Sequence, residues 1–361
     1  MKNKIKLFEP FIDSNEEKAI TKIIRSKFWA SGEGTGNVEK FESKFKKYVG
    51  SKECVAVNSG TAALHLALSL FDIKNREVIL PSFSFVSTAH AITYNGGKPI
   101  FVDIDPQTLC INPSLIEKAI TSKTKLILPV HFGGMPCNLN KINKIARKYN
   151  LDIIEDAAHA VGSTYNRKKI GNHNTAVCFS FHPVKNLAMP TGGLISINHK
   201  NHQKIRKLLS ARRWCGITNR RDTDYDVHEL GWNYYMNEFS AGIGLEQLKK
   251  LEKLNKIRKS IVMKYHKRIN LETKMQYDKD CSYHLYWILV RNRKKFRQKL
   301  LEYGVETGTH YKPIHQMCMY KNSIHLPVTE RIGKQIVTIP LHPNLKINQV
   351  ERIIDLINRF G

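Results

Sequence analysis

Between residues 54 and 155, short apolar runs alternate with helix-patterned segments, and this alternation allows very few folds. The spacing predicts strands at 54–58 (CVAVN), at 77–80 ending on Pro81, at 99–104 (PIFVDI), at 125–130 (KLILPV) and at 151–155 (LDIIE). Between them lie predicted helices at 61–70 (TAALHLALSL), 86–94, 113–121 and 139–149. Alternating units of this kind imply a mostly parallel sheet covered by helices. In open α/β sheets, ligands bind beyond the carboxyl ends of the strands. The residues just after each predicted strand are therefore the first place to look for chemistry.

With 361 residues the chain exceeds what one small core fills. A long helical pattern at 238–265, rich in Leu, Ile and Lys, suggests a division: a large domain over 1–240, then a linking helix and a smaller α+β domain over 241–361. Strands near 284–290 and 335–341 and helices near 294–303 and 348–359 are expected in the smaller part. The N-terminal stretch MKNKIKLFEPFIDSNEEKAI lacks a signal peptide's apolar centre, and no run is apolar enough to span a bilayer, so a cytoplasmic location is expected. Seven cysteines are scattered without C-x-x-C spacing, which favours reduced thiols over a disulfide framework or a metal site. The net charge of +27 favours anionic partners. It is spread along the chain, in clusters at 204–207, 212–213, 249–259 and 291–299, without a nucleic-acid-binding motif. A basic solvated surface that helps anionic small substrates is preferred over nucleic-acid or membrane partners.

Three segments stand where a ligand would bind. Asn58-Ser59-Gly60-Thr61-Ala62-Ala63 joins a predicted strand to a helix. Its Gly60 and Thr61 fit either an ordinary helix cap or a phosphate site on the unpaired amides of the first turn. Glu155-Asp156-Ala157-Ala158-His159 follows an apolar strand. Asp156 fits a helix cap equally with a carboxylate that keeps a pyridine nitrogen protonated. Cys178-Phe179-Ser180-Phe181-His182-Pro183-Val184-Lys185-Asn186 precedes the pair Gly192-Gly193. Alone, Lys185 reads as a surface charge; in a desolvated site its amine would form a Schiff base, with Ser180 placed to bond a phosphate. The order of the three supplies what pyridoxal 5′-phosphate (PLP) needs: an anion cradle, a pyridinium partner and an aldehyde-binding amine.

The sequence resembles the DegT/DnrJ/EryC1/StrS family of sugar aminotransferases. The resemblance rests on Phe28-Trp29-Ala30-Ser31-Gly32, Phe41-Glu42, residues 58–68, the Pro81-Ser82-Phe83-Ser84-Phe85 run, residues 155–162 and 179–193, Gly231-Trp232-Asn233-Tyr234-Tyr235-Met236-Asn237-Glu238, His310-Tyr311-Lys312-Pro313-Ile314-His315 and Ile339-Pro340-Leu341. It implies the type I fold of PLP enzymes, with a seven-stranded, mostly parallel sheet. It implies Lys185 as the Schiff-base lysine and Asp156 as the partner of the pyridine nitrogen. By the same resemblance Phe85 stacks on the cofactor ring, and His159 sits beside the ring hydroxyl. Gly60, Thr61, Ala62 and Ser180 contact the phosphate, and Asn233 reaches it from the neighbouring subunit of a homodimer.

The implied reaction moves an amino group from L-glutamate to a nucleotide-linked 3-keto or 4-keto 6-deoxyhexose. Arg213, Tyr311, Lys312 and His315 are the expected neighbours of that substrate. The chain departs from the family at Met189-Pro190-Thr191, where Gly-Glu is usual, and at Tyr234-Tyr235-Met236 and Trp214-Cys215-Gly216. These departures leave two other readings: an aminotransferase for a small phosphorylated ketone, and a regulatory or nucleic-acid-binding protein on the same scaffold.

Overall fold

The computed structural model describes residues 4–361; the first three residues of the N-terminal stretch read above lie outside the described residues. The five expected strands form as β1 (Glu53–Val57), β2 (Glu77–Pro81), β3 (Lys98–Val102), β4 (Thr124–Ile127) and β5 (Asp152–Asp156). A small hairpin follows, β6 (Thr164–Tyr165) with β7 (Lys168–Lys169). Then β8 (Ala176–Ser180) and β9 (Gly193–Ile197) complete a seven-stranded sheet of order β1-β9-β8-β5-β4-β2-β3. Pairing is parallel from β3 through β2, β4 and β5 to β8, whereas β9 runs antiparallel to both of its neighbours. The fold is the expected mostly parallel α/β architecture.

Strand side chains alternate between two faces, and both faces are buried. Val55, Val57, Val78, Leu80, Leu126 and Ile154 point into one core, which holds helix Gly60–Leu68. Cys54, Ala56, Ile79, Ile127, Ile153 and Val177 point into the other. Each fully buried aliphatic side chain contributes about 1.5–3 kcal/mol, so a one-residue slip in register would exchange the two cores along a whole strand.

Helices Gly60–Leu68, Ser87–Tyr94, Pro113–Ala119 and Leu139–Lys148 cross over after β1 to β4. The third begins with Pro113 at its first turn and Asn112 capping the Ser114 amide. It stops at Ala119, two residues short of the expected end. The Thr121 amide is taken by Thr124 Oγ1 and the Thr121 hydroxyl donates to Glu77 at 2.5 Å, which turns the chain into β4.

The long helix runs over Glu238–Arg268, capped by Asn237. Helices Ser14–Ser26 and Asn37–Val49, absent from the expectation, pack on it. An exposed hairpin, β10 (Ile217–Arg221) with β11 (Asp224–Val227), precedes it. Beyond it, β12 (Tyr286–Leu289) pairs antiparallel with β13 (Ile336–Ile339), backed by helices Arg293–Glu302, Pro327–Gln335 and Ile347–Phe360. Helix Pro327–Gln335 is a further unexpected element. Ile5 joins this region through a parallel bridge to Val305. Among the described residues no helix is long and apolar enough to cross a membrane.

One close approach ties β9 to the loop that follows β1. Gly193 opposes both Val57 and Ser180, and a Cβ on it would lie 2.2 Å from the Ser59 carbonyl oxygen. Gly193→Ala must therefore push the Ser59 turn away from the sheet. The expected cost is about 1–3 kcal/mol, read as a lower urea midpoint; an unchanged midpoint would contradict the tight approach.

Candidate active site

The carboxyl ends of β1, β5 and β8 open on one cavity of about 320 Å³. At its floor, β1 leads through Asn58 and Ser59 into helix Gly60–Leu68. Ser59 Oγ caps the helix by accepting from the Ala62 amide at 3.1 Å. Gly60 and Thr61 line the cavity at the helix N-terminus, where first-turn N–H groups and the helix dipole favour an anion. Ala62 is buried with its amide spent on Ser59, and it does not line the cavity. Ser180, the last residue of β8, closes the cradle. A Cβ on Gly60 would lie 2.7 Å from Ser180 Cβ, so the turn and the strand end meet closely only because residue 60 is glycine.

Asp156 ends β5 and is 4% exposed. Burial raises its pKa, and hydrogen bonds from the Ala158 amide (3.1 Å to Oδ1) and the Thr88 hydroxyl (2.8 Å to Oδ2) oppose that rise. Thr88 is itself held by Ser84 at 2.7 Å. Lys185 also favours the charged carboxylate.

Lys185 lies on a turn that leaves β8 and returns to β9. Its amide donates to the His182 carbonyl, and Met189 donates back to Phe181, both at 2.8 Å. The neighbouring Asn186 anchors this turn by donating to Asn255 on the long helix (3.0 Å) and to the Ser282 carbonyl (2.9 Å). Burial brings the Lys185 amine down to about 8, against the pull of Asp156. At neutral pH a useful fraction is therefore the uncharged nucleophile.

His159 is buried, and burial, followed by the charge of Lys185, holds its pKa well below the ordinary value. The Gly133 amide donates to its Nδ1 at 3.1 Å, which places the ring proton on Nε2, 3.2 Å from Tyr311 Oη. Phe85, 55% exposed, presents its ring on the cavity wall 6.0 Å from that of Tyr311.

Not every expected residue is at the cavity. Arg213 is 1% exposed and committed elsewhere. Its Nη1 pairs with Glu42 at 2.5 Å and bonds the Ala56 carbonyl at 2.9 Å, and its Nη2 bonds the Glu33 carbonyl at 2.7 Å. His315 is buried against Ser82 (2.6 Å), and Lys312 is exposed; neither lines the cavity. Of the four expected substrate neighbours only Tyr311 does. Asn233 is exposed and also outside this cavity. In their place the cavity gains His182, Thr191 and His310, together with Ser84 beside Thr88. The departure at Met189-Pro190-Thr191 has a local explanation. Met189 fills the space left by Gly244 of the long helix, and the Thr191 hydroxyl donates to the Asn58 carbonyl at 2.5 Å.

This donor set suits PLP: an amide-and-hydroxyl anion cradle, a buried carboxylate, a low-pKa amine and an exposed aromatic face surround one cavity. A model of the DegT/DnrJ/EryC1/StrS aminotransferase family matches residues 10–358. The chain belongs to this family. It is a PLP-dependent aminotransferase. It is 33% identical to SpsC, a spore coat polysaccharide biosynthesis protein of Bacillus subtilis, over 96% of this chain and 95% of that one. It superposes on Helicobacter pylori PseC, an aminotransferase involved in the biosynthesis of pseudoaminic acid, with TM-score 0.93, 27% identity and 99% of each chain covered. The Micromonospora echinospora sugar aminotransferase CalS13 gives TM-score 0.90 and 26% identity, over 99% of this chain and 100% of that one.

Only the neutral Lys185 amine attacks an aldehyde. Attachment of PLP to the apoenzyme should therefore accelerate about tenfold per pH unit below pH 8 and level off above it. Stopped-flow absorbance measures this, and a midpoint near that of an ordinary lysine would refute the lowered pKa. Separately, Arg213→Met leaves Glu42 buried without its main cation, so unfolding in urea should show a loss of about 3–5 kcal/mol. The pair Arg213→Met with Glu42→Leu should recover much of that loss.

Proposed function

We propose that this aminotransferase moves the amino group of L-glutamate to a nucleotide-linked 3-keto or 4-keto 6-deoxyhexose, for cell-surface polysaccharide or glycan synthesis in the cytoplasm. The observation that carries the reading is the character of the cavity wall. Among the described residues, Lys185 is its only lysine or arginine; the polar remainder is mainly hydroxyls and imidazoles, including Thr191, His182, His310 and Tyr311. Such a wall suits an uncharged polyol. A small phosphorylated ketone needs a second anion cradle, and the one at Gly60, Thr61 and Ser180 is taken by the cofactor phosphate. The nucleotide diphosphate would remain outside the cavity, where the +27 net charge favours it. The names of SpsC, PseC and CalS13 point the same way.

Lys185 would hold PLP, and Asp156 would stand against its ring nitrogen. When bound there, PLP supplies an electron-accepting ring and an aldehyde. The Asp156 carboxylate keeps that nitrogen protonated by its opposite charge. His159 offers its Nε2–H to an oxygen at the cavity edge, and Phe85 covers one face of the space. The Lys185 amine, once released by an incoming amine, would take a proton from the substrate carbon and return it two atoms along, on the far side of the nitrogen. A pKa of about 8 lets the same group serve as base and then as acid. Asn233, exposed and outside its own cavity, is assigned to the neighbouring subunit's site in a homodimer.

The test is a panel of nucleotide-linked keto sugars and small keto phosphates, assayed with glutamate and read by mass spectrometry of the amine product. A keto-sugar nucleotide should be converted. Lys185→Ala should lower turnover by about 10²–10⁴ or more and remove the visible absorption of the bound cofactor. Conversion of keto phosphates alone would overturn the sugar assignment.

A further inference from the structure

The basic run at 291–299 has no part in the aminotransfer site. In the structure it borders a cleft of about 880 Å³ in the C-terminal region, which shares no lining residue with the active-site cavity. Contacts between distant parts of the chain fix the cleft's shape. The Leu289 amide, at the end of β12, donates to the Thr273 carbonyl at 3.0 Å, and the Val290 amide donates to the Gln335 carbonyl at 3.1 Å. Asn292 then starts helix Arg293–Glu302 by accepting from the Lys295 amide at 3.2 Å. Asn358 ties helix Ile347–Phe360 to the end of the long helix. It donates to the Arg268 carbonyl at 2.9 Å and accepts from the Asn270 amide at 2.8 Å. Buried Val290 and Phe296, with half-buried Leu289 and Phe360, give the cleft an apolar lining.

Five cations stand round that lining. Arg291, Lys295 and Lys299 come from the basic run, Arg331 from helix Pro327–Gln335 and Arg359 from the last helix. Glu272 is the one carboxylate side chain among the lining residues. Lys299 is partly spent on Glu302, 2.8 Å away. The Arg359 guanidinium lies over the rings of Phe360 and Tyr303, 5.1 and 5.9 Å from their centroids. Such a seat holds a guanidinium by its face and leaves its edge N–H donors for an anion. The overall charge of the chain does not account for this gathering. The cavity at Asp105, Asp278 and Asp280 has Lys141 as its one cation. In the cavity beside Phe11 on the long helix, Lys249 pairs with Glu246 at 2.6 Å, and Lys250 with Asp13 and Glu16 at 2.8 Å.

We infer that this cleft binds a diphosphate group. A diphosphate spreads several negative charges over two linked phosphates, so it engages cations from several elements at once. Arginine forks clasp phosphate oxygens in pairs, and three arginines from three separate segments line this one space. A single small anion would need only one or two of the five cations. The volume falls within the about 300–1,000 Å³ of small-molecule sites. The aromatic and aliphatic lining beside the cations suits a flat base. A nucleoside diphosphate and free pyrophosphate are therefore the two sources of the group.

Calorimetric titration of the holoenzyme at about 0.15 M salt, with inorganic pyrophosphate and with uridine diphosphate, tests the assignment. Binding should saturate, and Arg331→Gln combined with Arg359→Gln should weaken it by about tenfold or more. Both arginines are exposed, so the double variant should fold. Lys204→Gln combined with Lys207→Gln removes two charges from another exposed surface and should leave the affinity unchanged. For the binding that the arginine variant loses, tighter uptake of uridine diphosphate than of pyrophosphate assigns a nucleotide, and equal uptake assigns free pyrophosphate. No binding, an unchanged affinity in the arginine variant, or an equal loss in the lysine control would overturn the site. A nucleotide held only at the proposed substrate site would give the second of these results.

Discussion

The site depends on holding two opposite charges out of water at the carboxyl ends of adjacent strands. Burial works against both: it raises the pKa of Asp156 and lowers that of Lys185. What tips Asp156 back toward its charged form is a pair of hydrogen bonds from Ala158 and Thr88, the second braced by Ser84. Those partners come from the loop after β5 and from the start of the helix after β2. The sheet order that brings β2, β5 and β8 to one edge is thus an electrostatic requirement as much as a packing solution. Lys185 needs the converse, a dry site with just enough negative charge nearby to keep its amine within a unit or so of neutral pH.

Backbone amides control the buried histidines around this pair. The Gly133 amide occupies Nδ1 of His159, and the Cys137 amide occupies Nδ1 of His131 at 3.0 Å. In each case the proton is left on Nε2. His131 directs it at Glu155, 2.9 Å away; His159 directs it toward Tyr311 and the cavity. Gly133 has φ +64°, a conformation that glycine adopts without strain, and its carbonyl accepts from the His284 amide at 2.9 Å. One residue therefore orients one histidine with its N–H and fixes the backbone of another with its C=O.

Much of this was legible in the sequence because the signals are local. Alternating apolar runs gave five strands within a few residues, and Gly60, Asp156 and Lys185 stand next to the ends of elements that periodicity can locate. The losses share one cause, which is contact between residues far apart in the chain. Arg213 is an expected neighbour of the substrate; its role is set by Glu42, 171 residues away. Thr88 read as an ordinary helix residue, and its bond to Asp156 spans 68 positions. Strand β9 was missed because its five residues make a buried strand only when β1 and β8 stand on either side. His310 and His182 lay inside matched segments, yet nothing in their spacing marked them as part of a wall.

The placement of β9 also sets a schedule for the chain as it is made. The strand at the sheet's edge, β1, is complete at residue 57, but among the described residues its only sheet partner is β9, which ends at residue 197. Until that later segment emerges from the ribosome, β1 and β8 each present an open row of amides and carbonyls. The first half of the chain is therefore not a unit that finishes early. It must wait, with sticky edges exposed, for a five-residue strand to be slotted in from the other direction.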